Sequence, residues 1–241
     1  LFQTSVAGHI PVAAAGAGDQ GGAGNPNGKP DLFDRRRTAR NPQIAMDHAG
    51  NFYVVWESFQ DNDVVTPPCG AADVPESYGI YFRGFSATGA PLSTADEQAN
   101  IVQTSPAAGY PYLTNASAAL AGDQVNPSIA VSANGDLKIA WNGNGWQVQY
   151  GPIFGQQDTA GVWSKRMAAG SFTPPQGPIS LDYEMQVNRT TSGIQQFPSV
   201  AMTANGDSVT VWSGNGQGDS QGIYARRDKT TADVVGPVPL P

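Results

Sequence analysis

One segment of this chain occurs three times, and its repetition restricts the folds that the chain can adopt. The three copies are NPQIAMDHAGNFYVVW at residues 41–56, NPSIAVSANGDLKIAW at residues 126–141 and FPSVAMTANGDSVTVW at residues 197–212. Each copy has a proline at its second position, then an apolar run, a glycine and a second run that ends at a tryptophan. Two short runs separated by a glycine-containing turn are typical of a β-hairpin. The sequence therefore predicts three hairpins.

The residues between the two runs indicate how each hairpin closes. Asn134-Gly135-Asp136 and Asn205-Gly206-Asp207 contain residue types that tolerate positive φ, and Ala49-Gly50-Asn51 occupies the corresponding place in the first copy. Because two-residue hairpin turns require such residues, we expect two-residue turns. The run Phe52–Trp56 is almost continuously apolar, which predicts a strand covered on both faces, whereas Ser208–Trp212 alternates.

Two further motifs follow the hairpins and predict two more strands per unit. The third strand is expected at Gly79–Arg83, Gly161–Lys165 and Gly222–Arg226. The fourth strand is expected at Ile101–Ser105 and Gln186–Thr190, and the chain opens with a similar segment, Leu1–Ser5. Four antiparallel strands per unit, with little helical periodicity between them, are typical of propeller blades. We therefore predict an all-β fold of β-propeller-like blades, with three repeats and long loops on one face.

These motifs resemble those of a known group of repeats. The order PS[IV]A, NGD, an apolar strand ending in Trp, GIYxR and a closing VNxT strand is similar to the repeats of large secreted or surface-exposed bacterial proteins. Those repeats are distantly similar to Asp-box, sialidase-like propellers. The resemblance implies a propeller-type fold, and it implies scaffolding or adhesion more often than catalysis.

The repeats divide the chain into blades and loops. The expected units are a closing strand of a preceding or third blade at 1–5, a Gly-rich and Arg-rich loop at 6–41, blade 1 at 42–105, a loop at 106–125, blade 2 at 126–190, and blade 3 at 191–241, which lacks its fourth strand. A propeller ring typically needs about four to eight blades. We therefore expect an arc whose open edges are covered by another chain or by further blades of the same protein.

The long loops are predicted to share one face of the blades. Successive prolines of the repeated segment are 85 and 71 residues apart, whereas a blade needs about 40 to 50 residues. The excess lies in connections that emerge on the same rim of an up-and-down blade, where loops frequently carry binding residues. The candidate residues for stacking on a sugar or anchoring a protein partner are Tyr110, Tyr112, Trp146, Tyr150 and Phe154. The alternative is that these rings pack the loops against the blades.

Charge limits the classes of partner. The chain has 20 acidic and 13 basic residues, so it lacks the broad cationic surface that nucleic-acid binding requires. Four basic residues cluster at Arg35, Arg36, Arg37 and Arg40. This cluster is a candidate contact for an acidic partner surface, or else a solvated run of charge. No apolar run is long enough to cross a membrane.

Motifs for cofactors and catalysis are absent from the sequence. Cys69 is the only cysteine, which excludes an internal disulfide and a Cys-based metal cluster; an intermolecular bridge is the alternative to an incidental thiol. Asp61, Asp63 and Asp219 are calcium candidates by residue type, but they match no EF-hand register. The chain contains no nucleophile elbow, zinc-binding His-Glu-x-x-His or phosphate-binding loop. We therefore expect neither a resident cofactor nor enzymatic activity.

The sequence favours a non-catalytic extracellular module. Only 14% of the residues are charged, so solubility depends on Asn, Gln, Ser and Thr, and we expect an extracellular, cell-surface or periplasmic location. The expected function is structural or interactive: the loops are presented to a protein partner within a larger surface assembly. The alternatives are a carbohydrate-binding module and a degenerate sialidase-like glycoside hydrolase. We expect Trp56, Trp141 and Trp212 to be equivalent buried residues without a ligand role.

Overall fold

The computed structural model describes residues 39–59, 78–92, 97–99, 123–146, 157–168 and 184–230, which form three antiparallel sheets and no helix. The first sheet contains β1 (Ala39–Met46), β2 (Phe52–Phe59), β3 (Tyr78–Phe85) and β4 (Glu97–Gln98). The second contains β5 (Gln124–Val131), β6 (Leu137–Trp146), β7 (Gln157–Met167) and β8 (Met185–Gln186). The third contains β9 (Gln195–Met202), β10 (Ser208–Gly216) and β11 (Asp219–Asp228). The strands of each sheet are adjacent in chain order, and the predicted all-β class is confirmed.

The first two strands of every sheet form a hairpin, but its turn differs from the predicted one. In the first hairpin the Asp47 N–H donates to the Asn51 carbonyl at 2.9 Å, and the Gly50 N–H donates to the Asp47 carbonyl at 3.1 Å. Both bonds recur in the other hairpins, where Gly135 and Gly206 have φ of 88° and 91°. The loops thus contain three residues, and the expectation of two-residue turns is wrong because only the glycine of each turn has positive φ.

A β-bulge interrupts the first strand of each sheet at its proline. The residue before the proline has positive φ in all three sheets: 52° at Asn41, 55° at Asn126 and 55° at Phe197. The register of strand pairing shifts at the same points. The prolines therefore lie inside β1, β5 and β9 rather than ahead of them, because a bulge accommodates a residue that has no N–H.

The fourth strand of the first sheet lies ahead of the segment that sequence similarity indicated, whereas that of the second sheet overlaps the predicted segment at Gln186. Strand β4 pairs with β3, and β8 pairs with β7, through two residues each. This pairing aligns Gln98-Ala99-Asn100 with Gln186-Val187-Asn188, not residues 101–105 with 186–190. Residues 101–105 and the similar segment 1–5 lie outside the described residues.

The three sheets stack in chain order. The largest apolar cluster lies between the first two sheets and consists of Tyr53, Val55, Ile80, Phe82, Ala99, Ile129, Leu137, Ile139, Trp141, Trp163 and Met167. Two smaller clusters join the second sheet to the third: Ala130 and Ala140 with Val200, and Val162 and Val187 with Trp212. The second sheet is therefore covered on both faces.

The three tryptophans that end the repeated segments occupy equivalent positions. Trp56, Trp141 and Trp212 are all buried. Each faces an aromatic residue on the neighbouring strand: Trp56 faces Tyr81 at 6.5 Å between ring centroids, Trp212 faces Tyr224 at 6.1 Å, and Trp141 pairs with Trp163. The indole N–H of each has no hydrogen-bond partner among the residues that the structure describes. These similar environments agree with the sequence pattern.

Candidate interaction surface on the third sheet

A polar contact at the bulge links the first sheet to the second. The buried residue after Trp56 is Glu57, whose Oε1 accepts a hydrogen bond from Asn41 Nδ2 at 3.0 Å within the first sheet. Its Oε2 accepts a hydrogen bond from the Asn126 N–H of the second sheet at 2.6 Å. Arg40 pairs with the same carboxylate and stacks over the ring of Tyr78 at 3.8 Å. Arg40, expected as part of a surface cluster, is exposed, but these two contacts fix its side chain.

The same contact recurs between the second and third sheets. Asn142 follows Trp141, and its Oδ1 accepts hydrogen bonds from Asn126 Nδ2 at 3.0 Å and from the Phe197 N–H at 3.1 Å. Its counterpart in the third sheet is Ser213, whose hydroxyl donates to the Gln196 carbonyl at 3.3 Å. In the described part of the chain, the series of contacts between sheets therefore ends at Ser213.

The outer face of the third sheet exposes apolar side chains. In β10 the polar Ser208 and Thr210 are buried toward the second sheet, while Val209 and Val211 on the outer face are 39% and 36% exposed. Ile223 of β11 shares this outer face and is 75% exposed. A group of exposed apolar side chains on one face is typical of an interaction site.

In the other two sheets the equivalent face is covered by the next sheet. The first-sheet counterparts of the three exposed side chains are all buried: Tyr53, Val55 and Ile80. At the opposite end of the stack, Ile44 and Met46 of β1 are exposed, whereas their second-sheet counterparts pack against the first core. Each end of the described stack therefore presents an exposed apolar surface, whereas the equivalent surfaces within the stack are covered by a neighbouring sheet.

A buried ion pair connects the second sheet to the third. Lys138 Nζ donates to Asp228 Oδ2 at 2.5 Å and to Ser208 Oγ at 3.1 Å. Burial lowers the pKa of Lys138, and the Asp228 carboxylate opposes this shift. Burial acts to raise the pKa of Asp228, but Lys138 and Arg226 together hold it below its usual value. Asp228 therefore remains ionised at neutral pH and ties β11 to β6.

The third strand of each sheet carries a basic residue at the same position: Arg83, Lys165 and Arg226. Burial lowers the pKa of Lys165, and Glu184 opposes the shift. Arg226 Nη1 donates to the carbonyls of Gln186 at 2.9 Å and Val187 at 3.4 Å. The third sheet thus contacts the fourth strand of the second sheet through a cation.

Strand β11 is an edge strand among the described residues. In the first two sheets the fourth-strand segment donates a backbone hydrogen bond to the third strand, from Ala99 to Ile80 at 2.7 Å and from Val187 to Val162 at 2.8 Å. The counterpart of Ile80 and Val162 is Ile223, and no described strand pairs with its outer edge. Such an edge offers unpaired backbone groups to another strand.

Most of the sequence-predicted site residues lie outside the described residues: Arg35, Arg36, Arg37, Asp61, Asp63, Cys69, Tyr110, Tyr112, Tyr150 and Phe154. Trp146 ends β6, where it pairs with Gln157, and its side chain is also outside the described part. Asp219 is exposed at the start of β11, and its Oδ1 accepts the Gln221 N–H at 2.8 Å. Within the described ranges, no group of three or more His, Cys, Asp or Glu side chains is placed to hold a metal ion.

Sequence reasoning missed the contacts that hold the sheets together. Glu57 and Asn142 share only their position after a tryptophan. That position aligns the repeats but does not indicate a hydrogen bond to the next sheet. The alternation of Ser208–Trp212 indicated one covered face, yet the side chains on the exposed face are the valines.

Among the described residues, no helix has the length and apolar character that a membrane crossing requires.

Comparison with known proteins identifies no family. No family model matches the chain, and no curated protein matches it. A crystal structure of a protein of unknown function from Dyadobacter fermentans DSM 18053 is similar over 80% of this chain, with a TM-score of 0.32 and 13% sequence identity. The similar region covers 66% of that structure, so this chain spans slightly less than two thirds of its length.

Proposed function

We propose that this chain is a non-catalytic structural or interaction module whose three sheets are consecutive propeller-like blades. Two observations support the blade interpretation: strands follow chain order within each sheet, and each sheet packs on the next through apolar clusters. The proline bulge and the buried tryptophan recur at the same positions in all three. An extracellular or cell-surface location is part of this proposal, and composition and the resemblance of the repeats support it.

The exposed apolar face of the third sheet carries the proposal. Val209, Val211 and Ile223 occupy positions that the next sheet covers in the rest of the stack. Burying apolar surface lowers the free energy by about 25 cal/mol per Å². Binding of a protein surface that covers this face is therefore favourable. The proposed partner is another protein chain or further sheets of the same protein, and in the isolated chain a second copy covers the same face.

The same surface favours protein association over carbohydrate binding. A flat aliphatic face suits a packed protein interface, whereas sugars bind through aromatic rings and polar groups. The side chains of the aromatic residues on which carbohydrate binding would depend lie outside the described part of the chain. The function proposed for the described part of the chain is therefore association with protein.

Sedimentation equilibrium over a range of concentrations tests this function. We expect the wild-type chain to self-associate, and Val211→Asp to weaken association at least tenfold because a carboxylate would be buried in an apolar interface. Gln217→Asp is the matched control, since it adds the same charge at an exposed turn. A wild-type chain that stays monomeric at every concentration, or equal association of the two variants, would contradict the proposal.

A further inference from the structure

The second sheet shows how a fourth strand is recognised. Gln186 Nε2 and Asn188 Nδ2 both donate to Asp158 Oδ2, at 2.6 and 3.1 Å. The Asn188 Oδ1 accepts the Val162 N–H at 2.7 Å, and the Val187 N–H donates to the Val162 carbonyl at 2.8 Å. Asp158 Oδ2 and the backbone N–H and carbonyl of Val162 therefore bind the sequence Gln-Val-Asn.

The third sheet contains the same carboxylate. Asp158 and Asp219 each lie three residues before the glycine of the third strand. In each, Oδ1 accepts the N–H of the residue two positions later, Ala160 at 3.0 Å and Gln221 at 2.8 Å. Asp158 is buried, and its Oδ2 is occupied by the two amides, whereas Asp219 is exposed and its Oδ2 accepts no hydrogen bond from the described residues.

The third sheet also contains the same backbone acceptor and donor. Ile223 pairs with Ser213 in the register in which Val162 pairs with Asn142. Since Val162 directs its N–H and carbonyl to the fourth strand, Ile223 directs both groups to the edge of β11 that no described strand occupies. Val162 is fully buried and packs with Val187, while Ile223 is 75% exposed.

We propose that the edge of β11 is a binding site for an extended strand with the sequence Gln-aliphatic-Asn, supplied by a separate polypeptide segment. The glutamine and asparagine amides donate to Asp219 Oδ2, and the asparagine oxygen accepts the Ile223 N–H. The aliphatic residue donates its N–H to the Ile223 carbonyl and covers the Ile223 side chain. This is strand addition with side-chain specificity. The inference rests on the proposed function, because it names the chemistry of the protein segment that joins the third sheet.

The proposed ligand differs from the segment that sequence similarity assigned to this edge. Residues 1–5 read Leu-Phe-Gln-Thr-Ser and place serine, not asparagine, two positions after Gln3. The first sheet carries the full pattern at Gln98-Ala99-Asn100, beside the strand with which β4 pairs. The inference therefore predicts weaker binding for a peptide of residues 1–7 than for one of residues 184–190.

Fluorescence anisotropy with a labelled synthetic peptide tests the site. The peptide Glu-Met-Gln-Val-Asn-Arg-Thr, residues 184–190, is titrated with the intact chain, and saturable binding is expected. Asp219→Asn should weaken it at least tenfold. The asparagine side chain has only one oxygen, so its NH₂ group would face either the Gln221 N–H or the two amide groups of the peptide. Replacing the peptide's asparagine with leucine should have a similar effect. Ser220→Ala, at the neighbouring exposed position, is the matched control and should bind as the wild type does.

A second variant tests the backbone half of the site. Ile223→Pro removes the N–H that faces the edge without removing a bond to β10, and an edge strand tolerates proline there. Its circular dichroism should remain that of the wild type while peptide binding is lost. Absence of saturable binding, equal binding by Asp219→Asn, or tighter binding of the peptide from residues 1–7 would each overturn the inference. These results do not affect the association test with Val211→Asp, so the two proposals can fail separately.

Discussion

The two interfaces between consecutive sheets have different chemistry although the strands that form them are equivalent. The first interface is one apolar cluster that contains the rings of Tyr53, Phe82 and Trp141. The second has small apolar clusters around a buried ion pair, Lys138 with Asp228. The same strand position therefore accepts an aromatic residue or a lysine, provided that the facing sheet supplies a matching partner.

This difference predicts different responses to pH. Burial, reinforced by the nearby Asp47 carboxylate, raises the pKa of Tyr53 to about 12. The phenol therefore stays neutral at all ordinary pH values. The second interface depends on the ionised Asp228 carboxylate.

The largest expected effect is the loss of a tryptophan from the first interface. Trp141→Ala should lower the free energy of unfolding by about 3 to 5 kcal/mol, because it removes a fully buried ring from the larger cluster. Trp212→Ala should cost less, since Trp212 packs in a smaller cluster. Urea denaturation of both variants measures the difference. A larger cost for Trp212→Ala would reverse the ranking of the two interfaces.

The next effect comes from breaking the buried ion pair. Asp228→Asn leaves Lys138 buried without its anionic partner and should cost about 2 to 3 kcal/mol, somewhat below the usual range because Asp228 keeps some exposure to water. Lys138→Met keeps the volume and removes the charge, so it should cost less. Chemical denaturation at neutral pH compares them. An equal cost for the two variants would show that charge is not what holds this interface.

Acid should remove the contribution of the same pair. The native pKa of Asp228 lies below its usual value of 3.8, so the unfolded state binds a proton first as the pH falls. The stabilisation is therefore present above about pH 4 and is lost below it. The gap in melting temperature between the wild type and Asp228→Asn should be constant from pH 7 to 5 and should narrow below pH 4. A constant gap down to pH 2 would contradict the assignment.

The smallest expected effect concerns a single hydrogen bond between the sheets. Ser128 Oγ accepts the Val200 N–H at 3.0 Å, and Ser128→Ala leaves that donor without its partner at a cost of about 1 kcal/mol. Ser199→Ala, at an exposed position of β9, is the matched control and should change stability by less than about 0.5 kcal/mol. Thermal denaturation distinguishes the two. Equal effects would mean that the bond contributes nothing.

The sequence predicted those features that depend on neighbouring residues. Gly50 and its counterparts marked the hairpins, and the tryptophans marked equivalent strand ends, because turn chemistry and strand pattern are local. The predicted length of the turns was wrong. Asparagine tolerates positive φ but does not require it, so the Asn-Gly pairs do not fix a two-residue turn. The prolines were placed ahead of their strands because a bulge leaves no distinct pattern in one sequence.

The contacts between sheets could not be predicted in the same way. Glu57 meets Asn126 across 69 residues, and Asn142 meets Phe197 across 55. The partner of each is fixed by the stacking of sheets and not by nearby sequence. The two faces of β10 show the same limit, because the polar Ser208 lies on the buried face, where it accepts a hydrogen bond from Lys138 of another sheet. The loop residues predicted to bind a partner stay a prediction.

Native-state hydrogen exchange at low denaturant tests the unequal interfaces most directly. We expect amides of β9, β10 and β11 to exchange through an opening of the third sheet whose free energy is smaller than that of global unfolding. Amides of β2, β3 and β6, which hold the apolar first interface, should exchange only through global unfolding. Equal exchange free energies for β6 and β10 would show that the two interfaces open together and are therefore equally stable.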